Sequence, residues 1–186
     1  MRWTLSNQLT VSRVALIPVL VVLYYMPVAW SHVATTGLFL LASITDWLDG
    51  YLARSRNEIT PFGKFLDPVA DKLLIAIVLL LLVGSHIVPA ILAAIIIGRE
   101  ITISALREWL AERASVVQVS MLGKAKTAMQ MIAVTALLLE VQVGNYSSRE
   151  VGLVLLWVAA ALTLWSGFEY IKQAWHELIA GDDASL

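Results

Sequence analysis

Cysteine is absent from this 186-residue chain, which excludes disulfides and thiol chemistry without fixing a redox compartment. Charged side chains are scarce, at 15% against 59% hydrophobic, and the mean hydropathy is +0.79. That balance excludes an ordinary soluble domain and points to a single integral-membrane domain over residues 1–186. The chain has no internal repeat and no low-complexity segment. Its formal net charge of −1 decides nothing by itself; no nucleic-acid partner is expected.

What the chain has in abundance is apolar runs. Six of them, at roughly 8–26, 33–53, 62–83, 87–110, 121–142 and 149–172, each approach the ~20 residues that cross a bilayer. Turn signals at Pro27, at Gly84-Ser85 with Pro89, and at Gly144-Asn145 separate spans. The first run is long for a signal core and no A-x-A-like site follows it, so it reads as a retained span. The expected fold is all-α and polytopic, with six transmembrane helices. Of the thirteen Lys and Arg residues, eleven fall on one side of this arrangement, Arg149 alone on the other, and Arg99 inside span four. This bias puts both termini and the 55–60 hairpin on the cytoplasmic side, and the cell inner (cytoplasmic) membrane is the expected location. Trp3, Trp30, Trp109 and Trp175 lie near span ends as interface anchors.

Against this scarcity of charge, Asp46, Asp49, Asp67 and Asp71 fall within 26 residues. An aspartate near a bilayer needs a partner, and four together call for cations. Asp46 and Asp49 are spaced i, i+3 and Asp67 and Asp71 i, i+4, so each pair shares one helix face. A hairpin closed around residues 55–60 would oppose the two pairs, and four acids neutralise two divalent ions. Carboxylate-only ligation favours Mg²⁺ or Mn²⁺ over zinc. Two helix starts are available before Asp71, at Thr60-Pro61 and at Asp67-Pro68, and the earlier keeps Asp67 and Asp71 in register on successive turns. Gly50, Ala53 and Gly63 would admit a nucleotide close to the helix backbones, or would serve helix packing. Arg54 is placed as a bidentate phosphate ligand or as a snorkelling interfacial residue.

The stretch from Asp46 to Asp71 resembles the signature of the CDP-alcohol phosphotransferase family, D-x2-D-G-x2-A-R-x8-G-x3-D-x3-D, at every position. The segments Arg99-Glu100-Ile-Thr-Ile-Ser104-Ala-Leu-Arg107-Glu108 and Gly123-Lys124-Ala-Lys126-Thr127 are similar to the bacterial branch of that family that makes phosphatidylglycerophosphate. The resemblance implies that Asp46, Asp49 and Asp67 hold one metal and that Asp46, Asp67 and Asp71 share a second. It implies that Asp71 is the base that deprotonates the acceptor hydroxyl. It assigns Gly50, Ala53, Arg54 and Gly63, with Thr60, to the cytidine nucleotide of CDP-diacylglycerol, and Thr10 to the binding of that same substrate. Asn7, Thr10 and Arg13, on one face of span one, resemble a polar cluster directed at the same site. A homodimer among membrane lipids is also implied.

The acceptor rests on a second constellation. Glu100, Ser104 and Arg107 share one face of span four, with Arg99 about 100° away. Arg99 is the deepest charge, costing roughly 2.5–3.5 kcal/mol on insertion scales, which either an anionic ligand or an ion pair with an acid such as Glu100 would offset. Lys124 and Lys126 differ by about 200° on a helix, so a regular helix turns only one of them to a shared ligand. The basic set Arg99, Arg107, Lys124 and Lys126 suits a phosphorylated soluble acceptor. The expected activity is transfer of the phosphatidyl group from CDP-diacylglycerol to sn-glycerol 3-phosphate, with the active site facing the cytoplasm. Rival readings are an inositol phosphate or phosphatidylglycerol as acceptor and, in another class, a small ion or metal transporter.

Overall fold

The computed structural model describes residues 4–55, 61–112 and 121–183. These form α1 (Leu5–Tyr25), α2 (Ser31–Ser55), α3 (Pro61–Gly84), α4 (Ala90–Glu112), α5 (Met121–Leu139), a hairpin of β1 (Gln142–Val143) and β2 (Tyr146–Ser147), and α6 (Ser148–Asp183). Each apolar run of the sequence is one helix, and the Gly144-Asn145 turn closes the hairpin. Thr4 caps α1, its side chain accepting from the Asn7 N–H at 3.3 Å. At Pro61 the missing N–H is one that a first turn leaves unpaired anyway. The earlier start is thus the one adopted, with Pro68 inside α3. At 36 residues, α6 is about 54 Å long. It continues through Gly181–Asp183, well past the apolar run that ends near residue 172.

The helices close into a ring, each touching the next in the order α1, α3, α4, α6, α5, α2 and back to α1. The interior is apolar: Phe39, Val78, Leu82, Ile96, Leu137 and Leu156 are fully buried. The seam between α5 and α6 is especially close. A Cβ on Gly152 would lie 2.8 Å from Leu137 Cγ and 3.0 Å from the Ala133 carbonyl oxygen, so only glycine lets the two helices approach this far.

The outside of the ring is apolar as well. Val22, Ile44, Leu80, Ile91, Ile132 and Val154, one from each helix in turn, are all more than half exposed. Helices that are apolar all round suit a lipid environment rather than water. Among the described residues two stretches, Asn7–Tyr25 and Ser148–Lys172, are long and apolar enough to cross a membrane. The other helices concentrate charge toward one end. At the opposite end the connections are tied together, with Tyr24 donating to Ser85 Oγ at 2.9 Å and Arg149 to the His86 carbonyl at 3.1 Å.

Candidate active site

The charged end of the ring gathers side chains from all six helices. On the first side, α1 meets the aspartates of α2 and α3. Thr10 Oγ1 donates to Asp67 Oδ1 at 2.5 Å, and Arg13 Nη1 donates to Asp46 Oδ1 at 2.6 Å. Thr10 and Arg13 are almost wholly buried and Asn7 is buried beside them, a polar stripe on a helix that is otherwise apolar. Burying these groups is tolerable because each finds a partner. The Asp46 carboxylate remains 37% exposed, and Asp71 is exposed, so these acids stay open to a ligand. Gly63 is buried near the start of α3.

The remaining signature positions are less complete. The side chains of Asp49, Gly50, Ala53 and Arg54, together with Thr60 and the Lys124 side chain, lie outside the described residues. Among the described residues no three acidic or imidazole groups stand together as a ready metal cage. The donor set nevertheless suits a hard divalent cation. It is oxygen-only, and hydrogen bonds from Thr10 and Arg13 fix the carboxylate orientations, as the outer partners of metal ligands commonly do.

On the second side, α4, α5 and α6 assemble the basic residues. Arg99 Nε donates to the Thr163 carbonyl at 3.0 Å and Nη2 to Ser166 Oγ at 2.8 Å, while Nη1 lies 3.4 Å from Glu100 Oε1. Gly167 makes room for this arrangement, since a Cβ there would lie 3.2 Å from Arg99 Nε and 3.3 Å from its Cγ. Lys126, 4% exposed, forms an ion pair with the same Glu100 oxygen. Arg107 lies over the Tyr170 ring at 5.8 Å, a cation–π distance. The ion-pair reading of Arg99 is therefore realised through Glu100, yet Arg99 still faces the cavity that a ligand would enter.

That cavity, of about 470 Å³, is lined by Asp71 and Lys72 from α3, Arg99, Glu100 and Arg107 from α4, and Lys126 from α5. It brings the last signature aspartate into one space with three of the four basic residues singled out in the sequence. A second cavity of about 280 Å³ adjoins it, sharing Asp71, Lys72, Glu100 and Thr127, but its remaining walls are mostly aliphatic. Sequence reasoning gave no role to Thr163, Ser166 or Gly167. A glycine next to a serine inside an apolar run was the only signal they offered.

Comparison with known proteins gives a consistent result. The family model for CDP-alcohol phosphatidyltransferase matches residues 3–165. A protein of Pseudomonas fluorescens named CDP-diacylglycerol–glycerol-3-phosphate 3-phosphatidyltransferase is 45% identical over 179 residues, covering 94% of this chain and 91% of its own. The protein of the same name from Escherichia coli strain K12 is 45% identical over 186 residues, covering 96% and 99%. A rice protein named cardiolipin synthase (CMP-forming) is also 45% identical, over 95% of this chain and 59% of its own length.

Proposed function

The chain belongs to the CDP-alcohol phosphatidyltransferase family, and we propose that it transfers the phosphatidyl group of CDP-diacylglycerol to sn-glycerol 3-phosphate, releasing CMP. The observation that carries this reading is the shared cavity: Asp71 opens into the same space as Arg99, Arg107 and Lys126. A hydroxyl to be deprotonated and a phosphate to be held belong to one small molecule in glycerol 3-phosphate, and this cavity offers a base and cations within one space. The transporter alternative loses its support with the family assignment.

In the reaction the acceptor hydroxyl oxygen forms a bond to the lipid-bearing phosphorus, the pyrophosphate P–O bond breaks, and CMP leaves. Asp71 takes the hydroxyl proton. Arg99, Arg107 and one of Lys124 and Lys126 hold the acceptor phosphate through charge-assisted hydrogen bonds. Glu100 offsets part of the charge of Arg99 and Lys126 and orients both until that phosphate arrives. Gly50, Ala53, Arg54, Thr60 and Gly63 bind the cytidine diphosphate portion, and Thr10 steadies Asp67. Asp46, Asp49, Asp67 and Asp71 would hold two divalent ions, Mg²⁺ or Mn²⁺, which when bound neutralise the pyrophosphate and polarise its phosphorus.

The whole chain is read as one domain of six spans in the inner membrane. Both termini and the charged end face the cytoplasm, supported by the distribution of basic residues. A homodimer follows from the family resemblance. The test is purified protein supplied with CDP-diacylglycerol and a panel of acceptors while CMP release is followed. Glycerol 3-phosphate is expected to give by far the fastest release. The rice relative's name motivates phosphatidylglycerol as the second acceptor of the panel, and preference for it over glycerol 3-phosphate would overturn the assignment.

A further inference from the structure

Gln130 stands out among the buried polar residues that the reaction does not use. It lies on α5 four residues beyond Lys126, and both are nearly buried, at 5% and 4% exposure. Lys126 meets the charged cavity; Gln130, one turn further along the same face, lines the smaller one with Ile75, Ile97 and Met131. Among the described residues its amide makes no hydrogen bond. An amide that opens onto a cavity acquires its hydrogen-bond partner from whatever enters.

We propose that Gln130 donates a hydrogen bond to an ester carbonyl of the lipid substrate, so that the smaller cavity seats the glycerol-ester region of the phosphatidyl group. This rests on the proposed function and names a contact within it. Three observations select a lipid ester as the occupant. The cavity shares Asp71, Lys72, Glu100 and Thr127 with the charged one, so one molecule can reach into both. Asp71, which meets the acceptor hydroxyl at the reacting phosphorus, lines the same cavity as Gln130, so the part of the lipid that follows that phosphorus falls beside the amide. The aliphatic walls include Val69, Leu73 and Ile101, which are exposed on the outside of the ring. The cavity thus opens sideways, where acyl chains leave for the bilayer. A soluble ligand has no use for such an exit.

The experiment compares CDP-diacylglycerol with its dialkyl ether analogue of equal chain length, which lacks both carbonyls. The kcat/KM ratio of ester to ether is measured for the full-length wild type and for Gln130→Leu. Wild type is expected to prefer the ester roughly fivefold to tenfold, the worth of one buried hydrogen bond. Gln130→Leu is expected to bring the ratio close to unity with the acceptor KM unchanged. Because each ratio is taken within one preparation, loss of folded protein cancels. A wild type indifferent to the ester, or a Gln130→Leu ratio equal to that of wild type, would overturn the assignment. The ratio can be read with whichever acceptor supports CMP release. Failure of glycerol 3-phosphate would therefore count against the proposed function and leave the Gln130 test standing.

Discussion

On α2 and α3 the site is acidic, and its hydrogen-bond partners come from α1: Arg13 on Asp46 and Thr10 on Asp67. On α4 and α5 it is basic, and a single acid, Glu100, serves both Arg99 and Lys126. Each half keeps its excess charge open on one side and satisfied on the other. The acidic half tethers its acids with groups buried almost completely on a separate helix. The basic half tethers its bases through Glu100 and through the α6 backbone, beside a cavity that admits ligand. The two halves meet at Asp71, which lines the cavity otherwise walled by the basic set. A surplus of acid suits divalent cations and a surplus of base suits a phosphate, so a reaction that joins the two belongs at their boundary.

Stripping divalent cations should break the comparison most completely. Transfer is expected to vanish on chelation and to return with Mg²⁺ or Mn²⁺, while the basic half still binds glycerol 3-phosphate in an equilibrium assay. Full turnover in metal-stripped protein would dismiss the two-ion reading of the acidic half. Next in size is Asp71→Asn, which keeps the shape but removes the carboxylate that we propose as the base at the boundary. A loss of about 10²–10⁴-fold in kcat is expected, with CDP-diacylglycerol binding retained in measurable form. Near-normal turnover would remove Asp71 from the role of base.

The two halves differ equally in how legible they were in the sequence. The four aspartates are close in the chain at helical spacings, so pattern alone gathers them, and the apolar runs with their Pro and Gly breaks located every helix. Arg99 was visible as an expensive charge in an apolar run. Its partners were not, because Thr163 and Ser166 lie 64 and 67 residues away on a helix with no charge there to announce them. Glu100 and Lys126 are 26 apart and meet only because α4 and α5 face each other across the cavity. The stripe Asn7, Thr10 and Arg13 fell between these cases. Its spacing revealed one face, but which aspartate each residue meets depends on how α1 packs against α2 and α3. The run of α6 through Asp183 was missed because its apolar stretch ends near Lys172 while the helix does not.

Arg99→Lys probes the basic half alone. The substitution keeps the charge but loses the planar fork that reaches Thr163, Ser166 and Glu100 together. Charge-assisted hydrogen bonds are worth more than neutral ones, so the glycerol 3-phosphate KM is expected to rise by roughly tenfold or more. The CDP-diacylglycerol KM should change little. Paired substrate titrations on detergent-purified protein measure both. A defect confined to the lipid substrate would leave Arg99 as a structural ion pair.

The smallest expected effect sharpens the same point, because it leaves every charged residue in place. Gly167→Ala adds a Cβ 3.2 Å from Arg99 Nε and 3.3 Å from Arg99 Cγ, tighter than ordinary contact. The arginine side chain is the softer partner and must yield by a few tenths of an ångström, which strains the 3.0 Å bond from Nε to the Thr163 carbonyl. The orientation of the fork then shifts, and a threefold to fivefold rise in the acceptor KM is expected, roughly the worth of one weakened hydrogen bond. Stability should hardly move, since alanine is the better helix former by about 1 kcal/mol and offsets the local crowding. Ser166→Ala, which removes the partner of Nη2 without adding bulk, should raise the acceptor KM by a similar factor. A merely structural seam would behave differently, lowering the melting temperature in both variants with the acceptor KM unmoved. That pattern would mean the grip of α6 on Arg99 holds helices together and does not aim the guanidinium at the acceptor.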